Sequence, residues 1–241
     1  MKRIIFLILR SIYISPIWYL QICWYARKAD KYTEIERFKL LRKVVLGVNK
    51  AGRIKVNVFG LENLPKENGY IMFPNHQGLF DVLMMIESHE RPFSAVLKIE
   101  MKKNFFLKRI VKIMKAQYID RDDVRQSMKV IMQMTKEVKE GRNYVIFPEG
   151  TRSKLGNKTI EFKGGSFKSA TNARCPIVPV ALIDSYKVFD TNSIKKQEVS
   201  IYYLEPMYYE EYKDLKTNEI AEMVRKKIQN KIDENCNWQI K

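Results

Sequence analysis

From residue 54 onward, short apolar runs alternate with stretches of helical periodicity, and this alternation restricts the fold more than any other feature of the chain. The apolar runs are 54–60, 70–73, 93–97, 117–119, 143–147, 177–183 and 198–204. They are of strand length, and most end in glycine, proline or a charged turn. Between them lie helical stretches at 82–89, about 101–114, 124–138, 162–173 and 217–235. In the third of these, Asp122 or Asp123 is placed to cap the start. Val124, Met128, Ile131, Thr135 and Val138 form its apolar positions, and Gly141 stops it. Strands that alternate with helices need crossover connections, so the expected fold is α/β, a mostly parallel mixed sheet covered by helices.

The first 53 residues read differently. Residues 4–26 carry one charge, Arg10, between basic flanks. Their length suits a membrane-spanning helix, but Arg10, Ser11, Ser15, Pro16 and Gln21 interrupt the run. Tyr13, Trp18, Tyr19, Trp24 and Tyr25 are residues that favour the headgroup level. A spanning helix, a helix dipping into one leaflet and a buried helix of a soluble fold all fit. The distributed aromatics favour the embedded or interfacial anchor. Residues 33–51 repeat Ile35, Phe38, Leu41, Val45 and Val48 at helical spacing with basic residues between them. The expected organisation is therefore a membrane-associating helical pair over 1–53, followed by an α/β domain over 54–241.

Charge narrows the partners. Forty-four Lys and Arg against twenty-seven Asp and Glu give a net charge of +17, which attracts polyanions: nucleic acid, anionic lipid, phosphorylated or acidic substrates. The basic residues are spread along the chain and no nucleic-acid-binding motif is present, so nucleic acid is the weaker choice. Three cysteines in no ligand spacing imply neither a disulfide framework nor a zinc site, and two histidines leave little for a transition-metal site.

Reactive groups recur just after the expected strands: His76, Lys98, Arg121, Glu149 and Arg152. In open α/β sheets, ligands bind at that edge. His76 follows the run 70–74, and Asp81 opens the next helix. A carboxylate on Nδ1 fixes the histidine tautomer and leaves Nε2 as a base. Five residues on a continuous helix do not share a face, so a turn at Gly78 is needed to bring the two together. The alternative is a turn histidine with Asp81 capping the helix. Arg121 and Arg152 are suited to gripping a phosphate through paired hydrogen bonds. The alternative for Glu149 and Arg152 is a structural ion pair. There is no Gly-x-Ser-x-Gly elbow, Walker loop or Gly-x-Gly-x-x-Gly, and no cysteine lies near the histidine in sequence. A His/Asp pair with no evident protein nucleophile points to direct transfer to a substrate hydroxyl.

Four segments, taken together, resemble a family. Asn75-His76 with Asp81 is similar to the HX4D motif of glycerolipid acyltransferases, specifically the 1-acyl-sn-glycerol-3-phosphate (lysophosphatidate) acyltransferases. Tyr118-Ile119-Asp120-Arg121 resembles the second motif of that family. Residues 147–153, Phe-Pro-Glu-Gly-Thr-Arg-Ser, match its third without change, and Val178-Pro179-Val180 matches its fourth. The resemblance implies acyl transfer from a thioester to the sn-2 hydroxyl of lysophosphatidate, giving phosphatidic acid for phospholipid synthesis. His76 would be the general base, Asp81 its orienting carboxylate, and Lys98 an oxyanion donor, a role the Gly150 backbone would share. Arg152, Arg121, Glu149, Gly150 and Thr151 would form the substrate phosphate pocket. No metal or cofactor is implied beyond acyl-CoA or acyl carrier protein as co-substrate. Anionic lipid is a further partner, and the expected location is the cytoplasmic face of the cell membrane. Related chemistries also fit these motifs: acylation of glycerol 3-phosphate or another lysolipid, and, from a different class, a non-enzymatic basic membrane-binding protein.

Overall fold

The computed structural model describes residues 2–236. In chain order the elements are α1 (Lys2–Ser11), α2 (Ser15–Arg27), α3 (Glu34–Ala51), β1 (Ile54–Phe59), β2 (Ile71–Pro74), α4 (Asp81–Ser88), β3 (Ser94–Lys98), α5 (Phe105–Met114), β4 (Gln117–Ile119), α6 (Val124–Lys139), β5 (Tyr144–Val145), α7 (Lys168–Ala173), β6 (Ile177–Ile183), α8 (Lys187–Asp190), β7 (Gln197–Tyr203), α9 (Tyr209–Tyr212) and α10 (Thr217–Asn235). Seven strands form one sheet in the order β1-β7-β6-β2-β5-β3-β4. Every pairing is parallel except β6 with β7. One edge therefore collects the carboxyl ends of β2 to β6 and the amino ends of β1 and β7.

β2 lies at the centre, and all four of its residues are buried. The period-two pleat of residues 70–73 sends Tyr70 and Met72 into a core with α2, α3, α4 and α5. It sends Ile71 and Phe73 into a second core with α6, α7 and α10. Each face of the sheet is thus covered, as a parallel sheet requires.

The N-terminal segment departs from expectation in one detail. Residues 4–26 do not form one helix: α1 and α2 meet at 90°, so the first member of the helical pair is broken in two and α3 is the second. Proline cannot donate in a helix interior, and Pro16 sits in the first turn of α2, where no donor is needed. No single helix among the described residues is long and apolar enough to cross a membrane, although the bent pair together has the length and composition. The guanidinium of Arg3 is buried and donates to Gly52 O and Lys195 O, each at 2.8 Å. These bonds hold the start of α1 at the amino ends of β1 and β7. α3 begins with a capping box, Thr33 with Glu36. Ile22, Ala26, Phe38, Leu41 and Val45 belong to the same core cluster as the sheet, so packing continues across the composition break near residue 53.

Three smaller differences have local causes. The helix expected from about 101 starts at Phe105, after a 3-10 turn over Ile99–Lys103, because Asn104 caps it by accepting from Leu107 N. Only Tyr144–Val145 of the run 143–147 form ladder pairs, since Pro148 soon breaks the strand. In α6, capped by Asp123, the inward positions are Val130, Met134 and Val138, while Val124 and Met128 face solvent.

Candidate active site

The loop between β2 and α4 turns back on itself at Gln77-Gly78. Asp81 reaches behind this turn, accepting from Gln77 N at 2.7 Å and Gly78 N at 3.0 Å. The turn brings the dyad together: His76 Nδ1 lies 2.7 Å from Asp81 Oδ2. A carboxylate only accepts, so Nδ1 carries a proton, and in the neutral ring this tautomer leaves the lone pair on Nε2. Asp81 is fully buried, and Ser185 Oγ donates to its other oxygen, Oδ1, at 2.5 Å. Asp81 thus accepts from four donors and does not act as a simple helix cap. The imidazole is partly exposed and rests on the Phe147 ring, with centroids 4.4 Å apart.

The other histidine has a structural role. His89 is buried, donates from Nδ1 to Arg91 O and accepts at Nε2 from the Tyr70 hydroxyl. Burial pushes its pKa down to about 4.

Three of the four sequence segments join at the edge beside His76, and the fourth, Val178-Pro179-Val180, pairs with Met72-Phe73-Pro74 in the strand that leads to it. Glu149 Oε1 accepts from His76 N at 3.0 Å, and Ser153 N donates to His76 O at 2.9 Å. The 148–153 turn therefore grips both backbone groups of His76. Arg121 Nη1 donates to Gly150 O. Gly150 has φ +73°, and an added Cβ would fall 2.5 Å from Arg121 Nη1, so glycine suits both the backbone and the neighbour. Asn75 pairs with β6 through both ends of its amide, donating to Leu182 O and accepting from Leu182 N. Arg152 is half-buried and makes no ion pair or hydrogen bond among the described residues. Glu149 engages His76 instead, so the ion-pair alternative is not what forms. Thr151 is exposed beside it. Lys98 stands at the end of β3, 3.7 Å from Glu100, and among the described residues no contact joins it to the dyad.

Three positioning residues carry no motif of their own: Gln77, Asn157 and Ser185. Ser185 Oγ and N both reach Gln77 Oε1, and Gln77 Nε2 donates to Asn157 Oδ1. Asn157 in turn binds Asp184. Ser185 follows a strand, the same signal that marks His76; nothing local marks Asn157.

Glu149 is buried, and burial first, then the nearby Asp81 charge, pushes its carboxyl up to about 7 against the pull of the His76 and Ile160 amides. The folded pKa lies above the unfolded value, so the folded chain holds a proton that the unfolded chain releases. This contribution is complete below about pH 4.5 and is lost as pH rises to about 7, roughly 3 kcal/mol in all. Glu149→Gln keeps the acceptor for His76 N. The difference in unfolding free energy between it and the parent chain is expected to shift in favour of the variant across that window. A difference flat from about pH 4 to 8 in denaturant titrations would show that Glu149 is not a raised carboxyl.

Residues 55–183 match the family model described as Acyltransferase. The chain is 32% identical over 149 residues to a 1-acyl-sn-glycerol-3-phosphate acyltransferase of Borreliella burgdorferi, covering 62% of this chain and 59% of that one. It is 29% identical over 190 residues to a probable enzyme of the same name from Mycoplasma pneumoniae, covering 74% and 70%. The match thus spans about three-fifths of the first relative's length. A crystal structure of a 1-acyl-sn-glycerophosphate acyltransferase from Thermotoga maritima shares the fold, with TM-score 0.75, 21% identity and 97% of each chain covered.

Proposed function

The chain belongs to the Acyltransferase family, and from that premise we propose that it transfers a fatty acyl group from a thioester to the sn-2 hydroxyl of 1-acyl-sn-glycerol 3-phosphate, forming phosphatidic acid. The observation that carries this reading is the dyad, with His76 Nδ1 held by Asp81 and Nε2 left as the other ring nitrogen, at a sheet edge where Arg121 and Arg152 also stand. His76 Nε2 takes the hydroxyl proton, and the alkoxide oxygen attacks the thioester carbonyl. Collapse of the tetrahedral adduct expels the thiolate, which recovers the proton from the imidazolium. Asp81 steadies that imidazolium. In this reading Arg152, Arg121, Gly150 and Thr151 hold the phosphate, Glu149 shapes their turn, and Lys98 with the Gly150 backbone faces the oxyanion. The donor is acyl-CoA or acyl carrier protein, with no metal or other cofactor. Exposed apolar side chains of α1 and of the turn into α2 (Ile5, Ile8, Leu9 and Tyr13 among them) support association with one leaflet at the cytoplasmic face, where the +17 charge meets anionic lipid.

Initial rates with acyl-CoA test the reading: thiol release should require lysophosphatidate and rise little with glycerol 3-phosphate. Equal rates with both acceptors would move the substrate assignment. Arg152 has no other partner among the described residues, so Arg152→Ala should raise the lysophosphatidate KM about tenfold or more, with kcat changed less. An unchanged KM would place the phosphate elsewhere.

A further inference from the structure

Beyond those of α1, further large apolar side chains stay exposed at the edge of the sheet that carries His76. Met101, Phe105 and Phe106 follow the carboxyl end of β3, Val124 and Met128 follow that of β4, and Leu155 follows that of β5. Phe105 is 65% exposed and Val124 70%. Chain direction puts the starts of α5 and α6 on opposite faces of the sheet, yet at this same edge. Lys102, Lys103, Lys108, Arg121 and Arg125 are interspersed and at the surface. Acidic side chains (Glu100, Asp120, Asp122 and Asp123) lie among them in smaller number. The patch is continuous with α2, because the Arg109 guanidinium stacks on Phe105, 3.6 Å from its centroid, and faces Tyr19 of α2 at 5.4 Å.

The geometry points to a second lipid-contacting flank, built from the 3-10 turn at Ile99–Lys103 and the starts of α5 and α6, which docks on an anionic bilayer. It rests on the membrane association proposed above and extends it. Apolar side chains ringed by lysine and arginine match the boundary between acyl chains and anionic headgroups. The exposed register of α6 has a reason here: Val124 and Met128 have helical spacing for a core, but they face outward at the edge where a lipid substrate must arrive. With α1 on one side and this flank on the other, His76 opens toward the membrane between two supports. A lysolipid then reaches Nε2 without its acyl chain crossing water.

The test uses the full chain carrying Cys23→Ser and Cys236→Ser, with Cys175 left buried. One environment-sensitive fluorophore at a time is placed on Tyr13→Cys, Phe105→Cys or Met128→Cys. Vesicles contain phosphatidylglycerol and phosphatidylcholine, with a nitroxide-bearing lipid as quencher. Quenching at all three positions is expected, and Phe105→Ser with Phe106→Ser should weaken partition about tenfold or more. Quenching at position 13 alone would overturn the second flank and leave the membrane reading standing. No quenching at any position would overturn both.

Discussion

His76→Ala should lower acyl transfer by about 10²–10⁴-fold, the range by which a positioned base accelerates proton transfer, while the chain stays folded. The imidazole is partly exposed, and its loss removes one of the four donors to Asp81 and the contact with Phe147. The remaining three, from Gln77, Gly78 and Ser185, continue to satisfy the carboxylate. Destabilisation of about 1–2 kcal/mol is expected, a few degrees in Tm for a chain of this size. Steady-state rates beside a thermal melt separate the two effects. Parent-like turnover in a folded variant would remove His76 from the chemistry.

Asp81→Asn tests charge with little change of shape. The amide oxygen can take the place of Oδ2 and accept from His76 Nδ1, Gln77 N and Gly78 N, while its nitrogen faces Ser185 Oγ, which has lone pairs to accept. The geometry survives, but the negative charge that steadies the imidazolium does not. We expect kcat to fall about 10²-fold or more, with KM for lysophosphatidate changed far less. A raised KM with kcat intact would make Asp81 a scaffold for the loop rather than a partner in proton transfer.

The parts of the fold legible in the sequence are those that local periodicity dictates. α3 follows from apolar spacing, the ends of α6 from its cap and glycine stop, and β2 and β6 from short apolar runs. His76 and Asp81 are readable as a pair because one turn joins them. Contacts between distant segments are not. Ser185 reaches Asp81 across 104 positions and Asn157 reaches Gln77 across 80, and no local pattern encodes such a meeting. The bend between α1 and α2 is half-legible: Pro16 marks a helix start, but the 90° turn and the distant bonds that fix the start of α1, from Arg3 to Gly52 and Lys195, leave no local pattern. The spacing of α6 points Val124 and Met128 toward a core, and the structure turns them outward, because helical period alone does not say where the core ends. Lys98 belongs to the edge, as its place after a strand implies, yet its nearest charged partner is Glu100 rather than the dyad.

Rapid mixing of the parent chain with acyl-CoA, with and without lysophosphatidate, tests direct transfer most closely. His76 acting as base on the acceptor hydroxyl predicts thiol release only when lysophosphatidate is present, with no burst in its absence. A burst stoichiometric with the chain and independent of acceptor would reveal an acyl-enzyme and contradict the role assigned to His76.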